Sequence, residues 1–93
     1  MRTIERSTAF KKDFKRESKG KYQKTVTEDL LAVLAILVSD GLLDANYRDH
    51  ELIGEWNAYR ECHIKPDLLL IYRKPDKNTI RLARLGSHSE LFG

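Results

Sequence analysis

Ninety-three residues with 17 Lys+Arg, 14 Asp+Glu and a formal charge of +3 make a chain of one domain's length, 41% hydrophobic and 33% charged. That balance excludes a disordered chain, and the lone Cys62 excludes both a disulfide framework and a thiolate-rich metal site, which fits a reducing cytosol. The longest apolar run, residues 30–38, is nine residues against the ~20 of a membrane helix and lies too far inside the chain for a secretory signal.

Residues 2–6, with β-branched Thr3 and Ile4, predict a short edge strand. Ser7 or Thr8 is the N-cap of a helix over 8–19, in which Phe10 and Phe14 form the apolar stripe and Gly20 provides the stop. Its outer face is basic. Residues 1–24 hold nine cationic side chains against three acids, whereas 25–51 hold one against six. A segment so charged attracts phosphate backbones by releasing counterions, although lysines also simply solvate a helix face. Thr25 and Glu28 have capping-box spacing before a second helix over 26–40, apolar nearly all round, with Gly41 as its stop. The short link between the helices predicts an antiparallel hairpin.

Residues 42–53 read as a loop. Residues 56–64 alternate as a strand, with Trp56, Ala58, Arg60, Cys62 and Ile64 on one face, and 68–72 read as a strand buried on both. Turn chemistry at 74–78 precedes a third strand over 79–85, and a short tail follows. The expectation is one α+β domain spanning 1–93, an antiparallel sheet with the helix pair on one face.

Phosphate-binding glycine loops, His-Glu-x-x-His and Cys-x-x-Cys are all missing, so chemistry falls to His50, His63 and His88. Histidine titrates near neutrality, so two or three around one cleft supply both a base and an acid. With Arg84 to hold a phosphate they suit cleavage of an RNA phosphodiester through 2′-OH attack. Two other readings stay open: a metal site assembled with Asp49 or Asp67, for which no ligand spacing speaks, and ordinary surface histidines with Arg84 paired to Glu61 or Glu90. Trp56 and Tyr59 fit packing better than base stacking.

Residues 47–56 (Tyr-Arg-Asp-His-Glu-Leu-Ile-Gly-Glu-Trp), the run 57–72 with Tyr59-Arg60-Glu61-Cys62-His63 and Pro66-Asp67, and the close Arg84-Leu85-Gly86-Ser87-His88-Ser89-Glu90-Leu91-Phe92 stand in a specific order. Together with the basic N-terminal helix pair they resemble the YafQ branch of the RelE/ParE toxin superfamily over the whole of 1–93. The resemblance implies a type II toxin with a RelE-like fold: a ribosome-dependent endonuclease that cuts mRNA in the decoding site. It implies a cognate antitoxin, operator DNA bound only as the toxin–antitoxin complex, no cofactor or metal, and no membrane partner. It places His50, His63, Asp67, Arg84, His88 and Phe92 at the active site. His88 would be the general acid; His50, His63 and Asp67 would supply and orient the base; Arg84 would stabilise phosphate charge, and Phe92 would pack on substrate. Lys11, Lys12, Lys15 and Arg16 of the first helix would dock on rRNA phosphates. Many relatives carry Trp after the Pro-Asp, where this chain has Leu68. The superfamily also contains a non-enzymatic, gyrase-poisoning branch, against which the three histidines argue. A homologue that only binds antitoxin or RNA is the remaining alternative.

Overall fold

The computed structural model describes residues 1–93 as an α+β fold on a five-stranded sheet. Strand β1 (Thr3–Arg6) leads into helices α1 (Thr8–Glu17) and α2 (Val26–Val38), followed by β2 (His50–Glu51), β3 (Arg60–Lys65), β4 (Leu68–Asp76), β5 (Thr79–Gly86) and α3 (His88–Phe92). The order across the sheet is β1-β5-β4-β3-β2. Strands β2 to β5 pair antiparallel as the short turns require, but β1 runs parallel to β5, from Thr3 opposite Thr79 to Arg6 opposite Leu82. The sheet is therefore mixed, because everything between β1 and β5 acts as one long crossover.

Leu68, Leu70 and Tyr72 of β4 join Cys62, Ile80, Leu82 and Leu85 under Phe10 of α1 and the apolar face of α2. The opposite side chains of the same strands, Leu69, Ile71 and Ala83, pack under Leu91 of α3, with Leu52, Trp56 and Tyr59 alongside. Helices on one face and α3 on the other explain the unbroken apolar run of β4, in which 68–72 are all buried. Cys62 lies in the helix-side core with no exposure, and burial first, then Asp49 and Glu61, push its thiol up to about 12. It is a packing residue.

Several local expectations are corrected. Ser7 caps α1 by accepting from Phe10 N–H at 2.9 Å, but the helix stops at Glu17, and Gly20 is not left-handed. Thr25 makes no side-chain cap to α2; at φ −126°, ψ −13° its backbone is not in the extended conformation of a capping residue. The left-handed residue closing α2 is Asp40 (φ 59°), one before Gly41. Asp40 N–H bonds Leu37 O and Gly41 N–H bonds Ile36 O, the paired bonds of a Schellman ending. Asp40 tolerates that backbone and is also pinned by Arg2 at 2.8 Å and Lys74 at 2.6 Å. The segment 42–53 is less irregular than a loop, with a 3-10 turn at Ala45–Tyr47 and β2. Strand β3 begins at Arg60, because Trp56 closes a 3-10 turn and Ala58 sits at φ 76°. No helix is long and apolar enough to cross a membrane.

Candidate active site

Strand β1 ends opposite Leu82, so the outer edge of β5 beyond that point has no strand neighbour. Side chains from α1 and its cap take over. Ser7 Oγ donates to Ala83 O at 2.7 Å, Asp13 Oδ2 accepts the Leu85 N–H at 3.0 Å, and Arg16 Nη2 donates to Leu85 O at 2.9 Å. Arg84, one residue away, forks onto the same carboxylate through Nε (2.7 Å) and Nη2 (3.2 Å), while Arg16 Nη1 reaches it at 2.9 Å. Asp13 is 3% exposed. Burial by itself raises its pKa, but hydrogen bonds from Arg84, the Leu85 amide and Arg16 outweigh that and hold the carboxyl below its ordinary range.

Arg16 is thereby tied into this cluster. Its Nε also lies 3.0 Å from Glu17 and 3.1 Å from Glu90, while 41% of the side chain stays exposed. Lys11, Lys12 and Lys15 are exposed and carry no ion pair. Gly86 belongs to the same knot. A Cβ there would lie 2.8 Å from Arg16 Nη2 and 3.2 Å from both Glu90 Oε1 and Leu91 Cδ2. Gly86→Ala is expected to lower stability by about 1–3 kcal/mol, as overpacking does elsewhere, read by urea unfolding. An unchanged midpoint would mean that Arg16 gives way freely.

The three histidines occupy distinct places. In β2, exposed His50 donates from Nδ1 to Arg48 O at 2.7 Å, which leaves Nε2 bare in the neutral ring. His63, in β3, donates from Nδ1 to Pro66 O at 3.1 Å, with Nε2 3.6 Å from Glu61 Oε1. Cross-strand partners share a face. The row His50–Glu61–Ile71–Arg84 therefore crosses four strands on the α3 side of the sheet, and His63–Leu69–Gly86 forms the next such row along it. At ~4.8 Å per strand, His50 and Arg84 stand about 14 Å apart. The backbone positions of these groups thus spread across a broad face of the sheet.

Asp67, in the β3–β4 turn, is held by Lys21 (2.8 Å) and Tyr22 from the α1–α2 link; the Lys21 bond, then the Tyr22 bond, keep its carboxyl below the usual range. Two depressions flank this turn. One, of about 310 Å³, takes His63, Pro66, Arg48 and Lys65 in its wall. The other, of about 450 Å³, runs from Asp67 and Tyr22 to Arg16, Ser87 and Ser89. His88 sits between those two serines at the start of α3, exposed, its ring 5.0 Å from that of Phe92 one turn on. Ser87 and Glu90 cap α3 reciprocally, a Ser-x-x-Glu signal that sequence reasoning left in the tail.

Leu68 is 1% exposed in the helix-side core, so in this chain position 68 packs and does not face substrate. Sequence reasoning missed Asp13, which pairs with Arg84 in place of the expected Glu61 or Glu90, and missed the burial of Glu61. Both are acids in strongly charged segments whose burial only the fold reveals. No three His, Cys, Asp or Glu side chains converge as a metal donor set.

A small toxin-like α+β fold with histidines and a paired arginine across one sheet face defines the class, and comparison places the chain within it. The model of the family described as "Bacterial toxin of type II toxin-antitoxin system, YafQ" matches residues 2–93. The mRNA interferase toxin YafQ of Escherichia coli (strain K12) is 40% identical over 93 residues, covering 99% of this chain and 97% of that protein. Among solved structures, the E. coli DinJ-YafQ complex superposes with a TM-score of 0.85 at 36% identity, covering 100% of both chains. A metal-bound toxin from Helicobacter pylori gives 0.87 at 46%, covering 99% of this chain and 100% of that one. The chain belongs to the YafQ family of type II toxin–antitoxin toxins.

Proposed function

We propose that this protein is an mRNA interferase that cuts mRNA held in the ribosomal decoding site and is silenced by a cognate antitoxin. Family membership and the interferase name of its E. coli relative support the activity, and the DinJ-YafQ complexes support the partner. The observation that carries the chemical reading is the tautomer-fixed pair His50 and His63, each with Nδ1 spent on a backbone carbonyl, on the same sheet face as the forked Arg84. The base is drawn from these two imidazoles and takes the 2′-OH proton. The 2′-oxygen attacks phosphorus, the Arg84 guanidinium offsets the charge on the five-coordinate phosphate, and His88 protonates the departing 5′-oxygen. Side chains alone move the protons, and the products are a 2′,3′-cyclic phosphate and a 5′-OH.

Asp67, held by Lys21 and Tyr22, fixes the turn whose Pro66 carbonyl accepts from His63, and so orients the base. Phe92 packs on substrate next to His88. Lys11, Lys12, Lys15 and the exposed part of Arg16 dock on rRNA phosphates, and operator DNA is met only in the antitoxin complex. The ribosome supplies the in-line geometry that so dispersed a set of side chains lacks.

The test uses purified toxin, 70S ribosomes and a programmed mRNA, with the cut ends mapped and their phosphates identified. Cuts with cyclic phosphate ends, dependent on ribosomes, are expected. Growth arrest without any cut would overturn the reading and point to a binding target such as gyrase.

A further inference from the structure

We infer that Asp13 is a positioning residue for RNA cleavage: its buried carboxylate sets the plane of the Arg84 guanidinium and so aims the remaining donors at the scissile phosphate. The inference rests on the reading of Arg84 proposed above. Arginine has five N–H donors in a rigid plane. Asp13 takes the Nε and one Nη2 hydrogen at 2.7 and 3.2 Å, and Nη1 has no protein partner. A two-pronged contact of this kind fixes a plane as well as a position, which a single contact cannot do. The unclaimed edge of Arg84 therefore has one orientation, directed away from Asp13, while the residue keeps about a quarter of its side chain exposed (27%).

Asp13 is in turn fixed more firmly than the arginine it holds. Its side chain is 4% exposed, it accepts the Leu85 amide at 3.0 Å, and Arg16 Nη1 braces it at 2.9 Å. Arg16 is itself tied to Leu85 O, Glu17 and Glu90, and Glu90 caps the helix that carries His88. One carboxylate on α1 thus ties the phosphate-binding cation to the strand end from which the proton-transfer helix departs. The β4–β5 register shifts between Ile71 and Tyr72, which face Arg84 and Leu82, so Ala83 is the extra residue on this stretch of β5. The groups facing Asp13 are Arg84 and Leu85 of β5 and Arg16 of its own helix.

The experiment compares single-turnover cleavage of ribosome-programmed mRNA by wild type, Asp13→Asn, Arg84→Gln and the double variant, with folding checked by amide NMR spectra. Asp13→Asn is expected to slow cleavage by about 10- to 100-fold, the scale of a misplaced catalytic group, with little change in the half-saturating ribosome concentration. The double variant is expected to be no slower than Arg84→Gln, because Asp13 acts through Arg84. A purely structural Asp13 would instead multiply the two losses, and that result, or a wild-type rate for Asp13→Asn, overturns the inference.

The Arg84 Nε–H resonance, assigned by its loss in Arg84→Gln, gives a readout independent of activity. It is expected to exchange slowly in wild type and to join the solvent-exposed arginines in Asp13→Asn. Should the wild-type toxin cut nothing, the nuclease reading falls while this resonance still decides whether Asp13 holds Arg84. Should Asp13→Asn not fold, Asp13→Glu carries the test. It keeps the charge but displaces the carboxylate that fixes the guanidinium plane, so a loss of about tenfold or more that disappears in the Arg84→Gln background supports the inference and a wild-type rate overturns it.

Discussion

Replacing His88 by alanine is expected to reduce ribosome-programmed mRNA cleavage by about 10²- to 10⁴-fold, the range associated with losing one proton-transfer group. The fold should survive. His88 is exposed at the first position of α3, and its only ring contact is Phe92 at 5.0 Å. The helix is held by groups that the change leaves alone: the Ser87–Glu90 capping box, and Leu91, which is 9% exposed against Leu69, Ile71 and Ala83. Unfolding free energy should therefore move by less than about 0.5 kcal/mol, as for other surface substitutions. His88→Gln keeps size and hydrogen bonding but cannot shuttle a proton at neutral pH, so it should not restore the rate. The two measurements are mapped cleavage rates and urea unfolding on the same preparations. A His88→Ala protein that cuts at nearly the wild-type rate would strip His88 of the acid's role and leave it to His50 or His63.

The second large effect falls on stability. Leu70→Ala is expected to cost about 2–5 kcal/mol, because it removes a fully buried side chain from a site that cannot collapse. Leu70 has no exposure and lies in the central stretch of β4, opposite Cys62 on one side and Leu85 on the other. Each of those neighbours is also fully buried. Domains of this size have only about 5–15 kcal/mol in total, so the variant should unfold at clearly lower urea and populate unfolded chain near body temperature. A midpoint shift worth less than about 1 kcal/mol would mean that α2 settles into the space. The effect would reach activity indirectly, since β4 separates the strand bearing His63 from the one bearing Arg84.

Where an element's signal is local, the sequence reveals it. The 3.6-residue spacing of Val26, Leu30, Val33, Leu34 and Leu37 marks the buried side of α2, and all five are buried. The doubly buried run of β4 is likewise readable, because five successive apolar residues suit only a strand covered on both sides. Signals that depend on distant partners are not readable. Nothing near Thr3 says that its strand lies beside residue 79, or parallel to it. The Thr25–Glu28 spacing is a sound capping pattern that goes unused because Thr25 is not extended, whereas the Ser87–Glu90 pattern, equally short, forms a full cap. For the site, residue types and motif order single out the histidines and Arg84. They do not reveal that Arg84 and Arg16 share one buried carboxylate 71 and 3 residues away along the chain.

The sheet order gives this toxin a built-in delay during its own synthesis. Strand β5 lies between β1 and β4, although it is the last strand made, so the earliest strand waits beside an empty slot until residues 79–86 arrive. Until then Leu82 and Leu85 are missing from the core, Asp13 has neither Arg84 nor the Leu85 amide to bind, and α3 has no strand from which to fold back. Pairings between residues so far apart in sequence also form late. A nascent chain that lacks β5 therefore has neither a complete sheet nor a partner for the Asp13 carboxylate on the strand side.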